Sequence, residues 1–185
     1  MSTAFKEWAL VCEALGSGGQ SIVLRKGGIA EGREGFRFHH PEFFLFPTLF
    51  HEQLAKTILP PETAMPAGNG RIRINYWARV EWTARIENLE TARKLASFHI
   101  WKESVVEERF RYDEKPGLHL AFLRVYRLDA PWDFPDAPAY GGCRSWVKLP
   151  EPPSAIRFEP VLDEKAHATL VDKLRRTIQD LTAAE

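Results

Sequence analysis

The chain is predicted to form a single domain of the α+β class. Three observations carry this. Its 185 residues correspond to about one domain, long enough to bury roughly 70% of the surface an unfolded chain exposes. Segments of strict apolar–polar alternation stand beside segments with helical spacing, most clearly at 71–85 and 163–181. The aromatic share is 12%, with six Trp and twelve Phe, which suits a core built from large rings and equally suits a site that stacks on flat guests.

Phe5, Trp8, Ala9, Cys12 and Leu15 recur at helical spacing and predict a first amphipathic helix, stopped by Gly16 to Gly19. Ser21 to Lys26 is β-rich around Ile22, Val23 and Leu24 and ends at Gly27-Gly28, which predicts a strand. Gly32 to Gly35 reads as a charged loop. Phe43 to Phe46 reads as a strand after the His40-Pro41 break. Pro47-Thr48 then predicts a helix to about Leu59, ended by Pro60-Pro61.

The clearest strand follows. Ile72, Ile74, Tyr76, Ala78, Val80 and Trp82 alternate with Arg71, Arg73, Asn75, Trp77, Arg79 and Glu81, so one face is buried and one open. The open face is expected to carry Arg73, Arg79 and Arg85 beside Trp77. Asn88 is placed to cap a helix through Leu89, Ala92 and Leu95. Trp101 to Phe110 reads as a second short helix. Leu118 to Leu128 is apolar on both sides and predicts a central strand. Asp129 to Pro138 reads as irregular, Cys143 to Leu149 as a last strand, and Pro150 to Pro160 as a Pro-rich connection. Asp163 is placed to cap a final helix with the stripe Ala166, Leu170, Leu174, Ile178 and Leu181. The division expected is a domain over 1–160 with the helix of 161–185 packed on it. That packing favours a monomer while leaving the oligomeric state open.

Lys+Arg and Asp+Glu are each 25. A chain without net charge is a poor candidate for non-specific coating of duplex nucleic acid, because such affinity grows with the phosphates neutralised. A local basic face is still allowed. Cys12 and Cys143 stand far apart and make neither a disulfide framework nor a zinc site. Lys6, Glu7 and Glu13 interrupt the N-terminus, which does not read as a signal peptide. No apolar run approaches the roughly 20 residues of a membrane span. The expected setting is reducing and aqueous, the cytoplasm, with no membrane partner.

Taken whole, the chain resembles the bacterial family catalogued as domain of unknown function 1802. The resemblance is carried by Lys6-Glu7-Trp8-Ala9, Leu24-Arg25-Lys26-Gly27-Gly28-Ile29, Phe44-Leu45-Phe46-Pro47-Thr48, Arg124-Val125-Tyr126-Arg127-Leu128 and Gly141-Gly142 before Ser145-Trp146-Val147. It implies no activity. The order of elements also resembles the PUA-like superfamily and its ASCH group. There an early helix precedes a strand like Ser21 to Lys26, and a strand with a basic or aromatic face follows, as at Ile72 to Arg85. A helical excursion comes next, and a return strand ends near Pro. This resemblance implies a small mixed β-barrel or strongly curved sheet with flanking helices and a C-terminal helix. Two departures are visible: Val23 stands where an acidic residue is usual, and Thr48 to Pro66 is inserted where a short link is usual.

Alternating guanidinium and indole groups pair phosphates and stack bases. The candidate binding residues are Arg25, Lys26, Thr48, His51, Arg73, Trp77, Arg79, Arg144 and Trp146. The same pattern also describes a solvated sheet face whose arginines pair with Glu81 and Glu87. His39, His40, Glu42, His51 and Glu52 cluster in sequence, yet His39 and His51 lack the i, i+4 spacing of a helical zinc pair. No metal and no cofactor is expected. A nuclease strand with Glu-x-Lys is missing, since Leu24 precedes Lys26 by two. No phosphate-loop, nucleophile-elbow or dinucleotide fingerprint occurs.

The leading expectation is a nucleic-acid, nucleotide or modified-base binding module, with RNA or a modified nucleotide as partner. The ASCH resemblance implies an alternative, a small amidohydrolase on modified nucleosides, for which Lys26, Thr48, Glu52 and Glu81 are the available residue types. A second alternative is an interaction scaffold using the last helix and the Pro-rich segment. Whether the chain is an enzyme stays open.

Overall fold

The structure, a computed structural model, describes residues 2–26, 38–66 and 68–182, the side chains of 179–182 excepted. The expected Gly27-Gly28 turn, the Gly32 to Gly35 loop and the Leu181 side chain lie outside the described residues. The strands are β1 Thr3–Trp8, β2 Ile22–Arg25, β3 Glu42–Thr48, β4 Arg71–Ile86, β5 Leu118–Pro135, β6 Trp146–Lys148 and β7 Phe158–Pro160. The helices are α1 Ala9–Gly16, α2 Leu89–Lys94, α3 Glu103–Phe110 and α4 Glu164–Thr182. All seven strands join one sheet of order β2-β5-β4-β3-β1-β6, with β7 on β5. The β1–β3 pairing is parallel and the others are antiparallel. The sheet is strongly curved and does not close into a barrel.

The gap has a specific filling. β6 pairs with β1 only across Thr3, Ala4 and Phe5. Past that point the Lys6 carbonyl accepts a hydrogen bond from the Arg25 guanidinium on β2, which lies at the far edge of the sheet. Arg25 also stands 3.3 Å from the Glu7 carboxylate. Among the described residues, the Arg25 side chain joins the two ends where a backbone ladder would close a barrel.

β4 and β5 form the spine, and both are long enough to serve two faces. Val80 lies opposite Leu123, but Trp82 lies opposite Phe122, so Glu81 is an extra residue in a bulge. Arg79 accordingly pairs with Arg124 and Arg85 with His119. Residues 124 and 119 point to opposite sides of β5, so the expected single open face of Arg73, Arg79 and Arg85 is corrected. The bulge sends Arg85 to the other side from Arg79 and Trp77. β5 is buried on both sides, with Leu118, Leu120, Ala121, Phe122 and Leu123 at most 2% exposed.

Two expected helices are also corrected. Residues 3–8 are strand, because Ala4 and Phe5 are both fully buried on opposite sides of β1. Phe5 packs against Phe38, Phe43 and Trp146. Residue 48 ends β3 rather than starting a helix, and only a 3₁₀ turn at Leu54–Lys56 follows. Pro47 is tolerated there because β4 pairs only with Glu42, Phe43 and Phe44. The two expected caps are present: Asn88 accepts from the Glu90 amide at 2.7 Å and Asp163 from the Ala166 amide at 2.7 Å. α4 buries Leu174 in the core, packs on α2 and the 3₁₀ turn at Leu95–Phe98, and meets the sheet through Arg124–Glu164 and His167–Glu81 contacts of 2.7 and 2.9 Å.

The seat of α1 on β4 is tight. A Cβ on Gly16 would lie 2.0 to 2.5 Å from three ring carbons of Tyr76. The Tyr76 hydroxyl donates to Glu13 at 2.9 Å, and burial, helped by that bond, pushes its pKa up to about 12. Gly16→Ala is expected to cost about 2 kcal/mol in urea unfolding, the usual penalty of overpacking, and to return the Tyr76 titration toward its ordinary range. Gly19→Ala, whose Cβ would meet nothing nearer than 3.6 Å, is the matched control and should unfold like the parent.

Candidate functional site

The second half of β1, the end of β2 and α3 converge at the gap in the sheet. Glu7 is 1% exposed. Its Oε1 accepts the Trp8 amide at 2.8 Å. Its Oε2 faces Arg25 and has no hydrogen bond. The Glu7 carbonyl accepts from the Thr48 hydroxyl at 3.0 Å. The Arg25 guanidinium lies over the Phe5 ring at 4.7 Å, with its Nε buried and without a partner.

Arg109 reaches in from α3. Its guanidinium carbon lies over the Trp8 ring at 4.8 Å and over the Trp101 ring at 4.7 Å, so two indoles crowd it. Among the described residues its side chain makes no ion pair or hydrogen bond, and its Nη1 is buried. Burial lowers its pKa to about 10; Glu7 opposes this and Arg25 adds to it. The Trp101 Nε1 is buried without a partner, and the His99 ring is buried beside it. His99 stands 5.2 Å from the Trp101 ring. Burial first, and then Arg109, push its pKa down to about 4, so the ring is neutral near pH 7. Burial raises the Cys12 thiol, with Glu7 adding to it, which leaves that sulfur inert.

A second part of the site lies alongside. Arg25, His119 and Arg85 are neighbours across β2, β5 and β4 and point to one side of the sheet. Beside them is a cavity of about 350 Å³ lined by Phe38, Thr83, Ala84, Arg85, His119 and Leu120. Phe38 packs on Phe5 at 5.7 Å, beneath the Arg25 guanidinium, which links the cavity to the Glu7 cluster. Gly117 holds a φ of +135°, and a Cβ there would lie 2.7 Å from Arg85 Nη2. That glycine makes room for Arg85.

Of the expected binding residues, the structure brings Arg25 and Thr48 to this mouth. Lys26 is fastened to α3: its Nζ donates to the carbonyls of Phe110 and Lys115 at 3.1 and 2.6 Å and pairs with Asp113 at 2.9 Å. Arg73 pairs with Asp133 at 3.0 Å on an exposed edge. Trp77 packs on Tyr126 and Phe158, each at 5.1 Å, on the Arg79 side of the sheet. Arg79 lies 3.8 Å from Glu81. Trp146 fills the space between Phe5, Phe43 and His40. His51 and Arg144 are exposed. Arg25, Lys26, Trp77 and Arg79 thus do not share one groove. The four residues weighed for catalysis are also apart: Thr48 holds the Glu7 carbonyl, Glu81 holds His167, Lys26 is tied to α3, and Glu52 is exposed in a turn. Glu7, Trp8, His99, Trp101 and Arg109 went unnoticed in the sequence as a group, since almost a hundred residues separate Trp8 from Trp101. Among the described residues no group of three or more His, Cys, Asp or Glu is placed to hold a metal, and no helix is long and apolar enough to cross a membrane.

Fold and site together define an α+β domain with an open, strongly curved sheet and a cationic, indole-flanked mouth. The chain belongs to the family described as Domain of unknown function (DUF1802), whose model matches residues 4–173, from β1 into α4. Among solved structures it is similar to the ASCH protein from Zymomonas mobilis, at 12% identity and a TM-score of 0.43, over 92% of this chain and 94% of that one. A point mutant of the same protein matches at 12% identity and a TM-score of 0.42, over 93% of this chain and 95% of that one. These belong to the group that the element order resembles. No curated protein matches the chain.

Proposed function

We propose that the chain is a binding module for a nucleotide, a modified base or a nucleic-acid segment, held in the cavity beside β2, β5 and β4. The observation that carries this is the row of basic side chains Arg25, His119 and Arg85 beside a cavity of about 350 Å³ that Phe38 helps to line. That volume lies within the range of small-molecule sites. Phe38 offers a ring for stacking, Thr83 a hydroxyl for base or sugar edges, and Arg85 a fork for phosphate oxygens. Zero net charge is compatible with such a site, since the positive field is local.

The test is binding of labelled RNA and DNA oligonucleotides and of nucleoside monophosphates, followed by anisotropy or calorimetry. Arg85→Ala and Phe38→Ala are each expected to weaken binding about tenfold, the scale of one stacked base or one charge-assisted fork. Affinity should fall as salt rises. Arg79→Ala, on the other side of the sheet, should leave affinity unchanged. Absence of binding by the parent protein, or equal loss from Arg79→Ala and Arg85→Ala, would overturn the reading.

A further inference from the structure

We infer that the Trp8–Arg109–Trp101 cluster beside Glu7 and Arg25 is a receptor for an oxyanion of the phosphate type. Two guanidinium groups, Arg25 and Arg109, share this corner with one carboxylate, and that carboxylate stands on Arg25 at 3.3 Å. Arg109 has no counter-charge within ion-pair distance among the described residues, although its Nη1 is buried. A cation withdrawn from water without a partner is unfavourable, and cation–π contact offsets only part of that.

Geometry then selects the guest. Trp8 and Trp101 already lie against the Arg109 guanidinium, with ring centroids 4.8 and 4.7 Å from its central carbon, which crowds it against a further stacked ring. What is left is its edge, a planar fork of N–H donors that matches the oxygens of a phosphate or carboxylate. Further donors without partners lie in the same corner: Arg25 Nε and the Nε1 of Trp101, whose residue is 1% exposed. His99, 4% exposed, adds a buried imidazole beside them. Donors outnumber the one unfilled carboxylate oxygen, Glu7 Oε2. An anion with several oxygens satisfies such a set, whereas a neutral or cationic guest leaves it unmet. The inference does not rest on the neighbouring cavity and stands if that cavity is empty in use.

The probe is inorganic phosphate, titrated at constant ionic strength against chloride, with thermal unfolding and calorimetry as readouts. Phosphate is expected to raise the unfolding midpoint of the parent protein in a saturable way that chloride does not reproduce. Arg109→Lys keeps the charge without the fork and is expected to bind phosphate at least tenfold more weakly. Arg109→Gln is expected to lose the effect. A parent protein that responds to phosphate no more than to chloride overturns the inference, and so does an unchanged phosphate affinity in Arg109→Lys, which decides the matter even where Arg109→Gln fails to fold. Adenosine monophosphate and acetate arms distinguish the source. A nucleotide held tenfold more tightly than phosphate, with the gain lost in Arg85→Ala, marks the anion as part of a guest that also fills the cavity. Equal affinities mark a free anion, and acetate equal to phosphate marks a carboxylate-tolerant site.

Discussion

Glu7→Ala is expected to lower the unfolding free energy by about 3 kcal/mol, at the lower end for stripping one partner from a buried ion pair. The lower end applies because the Arg25 side chain is 21% exposed while that of Glu7 is fully buried. Without the carboxylate, Arg25 and Arg109 repel each other across the gap, and the Trp8 amide loses its acceptor at 2.8 Å. Urea unfolding of Glu7→Ala, Arg25→Ala and the double variant measures the coupling. The double variant should be less damaged than the sum of the singles. Arg109→Gln placed on Glu7→Ala should recover part of the loss. Strict additivity in both cases would show that these groups do not act together.

Acid is expected to weaken the protein through His99. Its pKa falls from an ordinary 6.5 to about 4 in the folded state. The unfolded chain therefore takes up a proton in a pH range where the folded ring refuses it. The contribution is complete above about pH 6.5, shrinks as pH drops, and is gone below about pH 4. At about 1.4 kcal/mol per pH unit, this amounts to about 3 kcal/mol across the window. Urea unfolding at pH 7.5, 6, 5 and 4 should show a steeper decline for the parent than for His99→Gln, whose amide does not titrate there. Parallel declines would mean that His99 takes its proton in the folded state as readily as in the unfolded one.

Much of the frame was legible from periodicity and capping chemistry. Alternation marked β4, the two-sided apolar run marked β5 as far as Leu128 but not its continuation to Pro135, which reads as irregular from its Pro and Asp content, and Asn88 and Asp163 marked helix starts. β1 was misread because Phe5, Trp8, Cys12 and Leu15 happen to fall three and four apart across a strand–helix junction at Ala9. A strand buried on both sides leaves no alternation to read. The bulge at Glu81 was equally hidden, since one extra residue changes which side Arg85 faces without altering composition. The Arg109 corner could not be seen locally. Its members come from β1, β2, α3 and the segment 99–101, and only the curl of the sheet sets them side by side. Arg25 was noticed for its charge, but nothing near it in sequence announces Glu7 as its partner.

The manner in which β1 meets β2 has a bearing on motion. A ladder of amides gives way only cooperatively, several bonds at a time. A clasp made of one arginine lets go by a single rotation, leaving the interstrand pairings on either flank intact. The rim beside Glu7 is held by this clasp rather than by a ladder, and it is also where the unanswered donors sit. On the inference of an anion receptor, entry of the anion and release of this clasp would draw on the same Arg25 side chain.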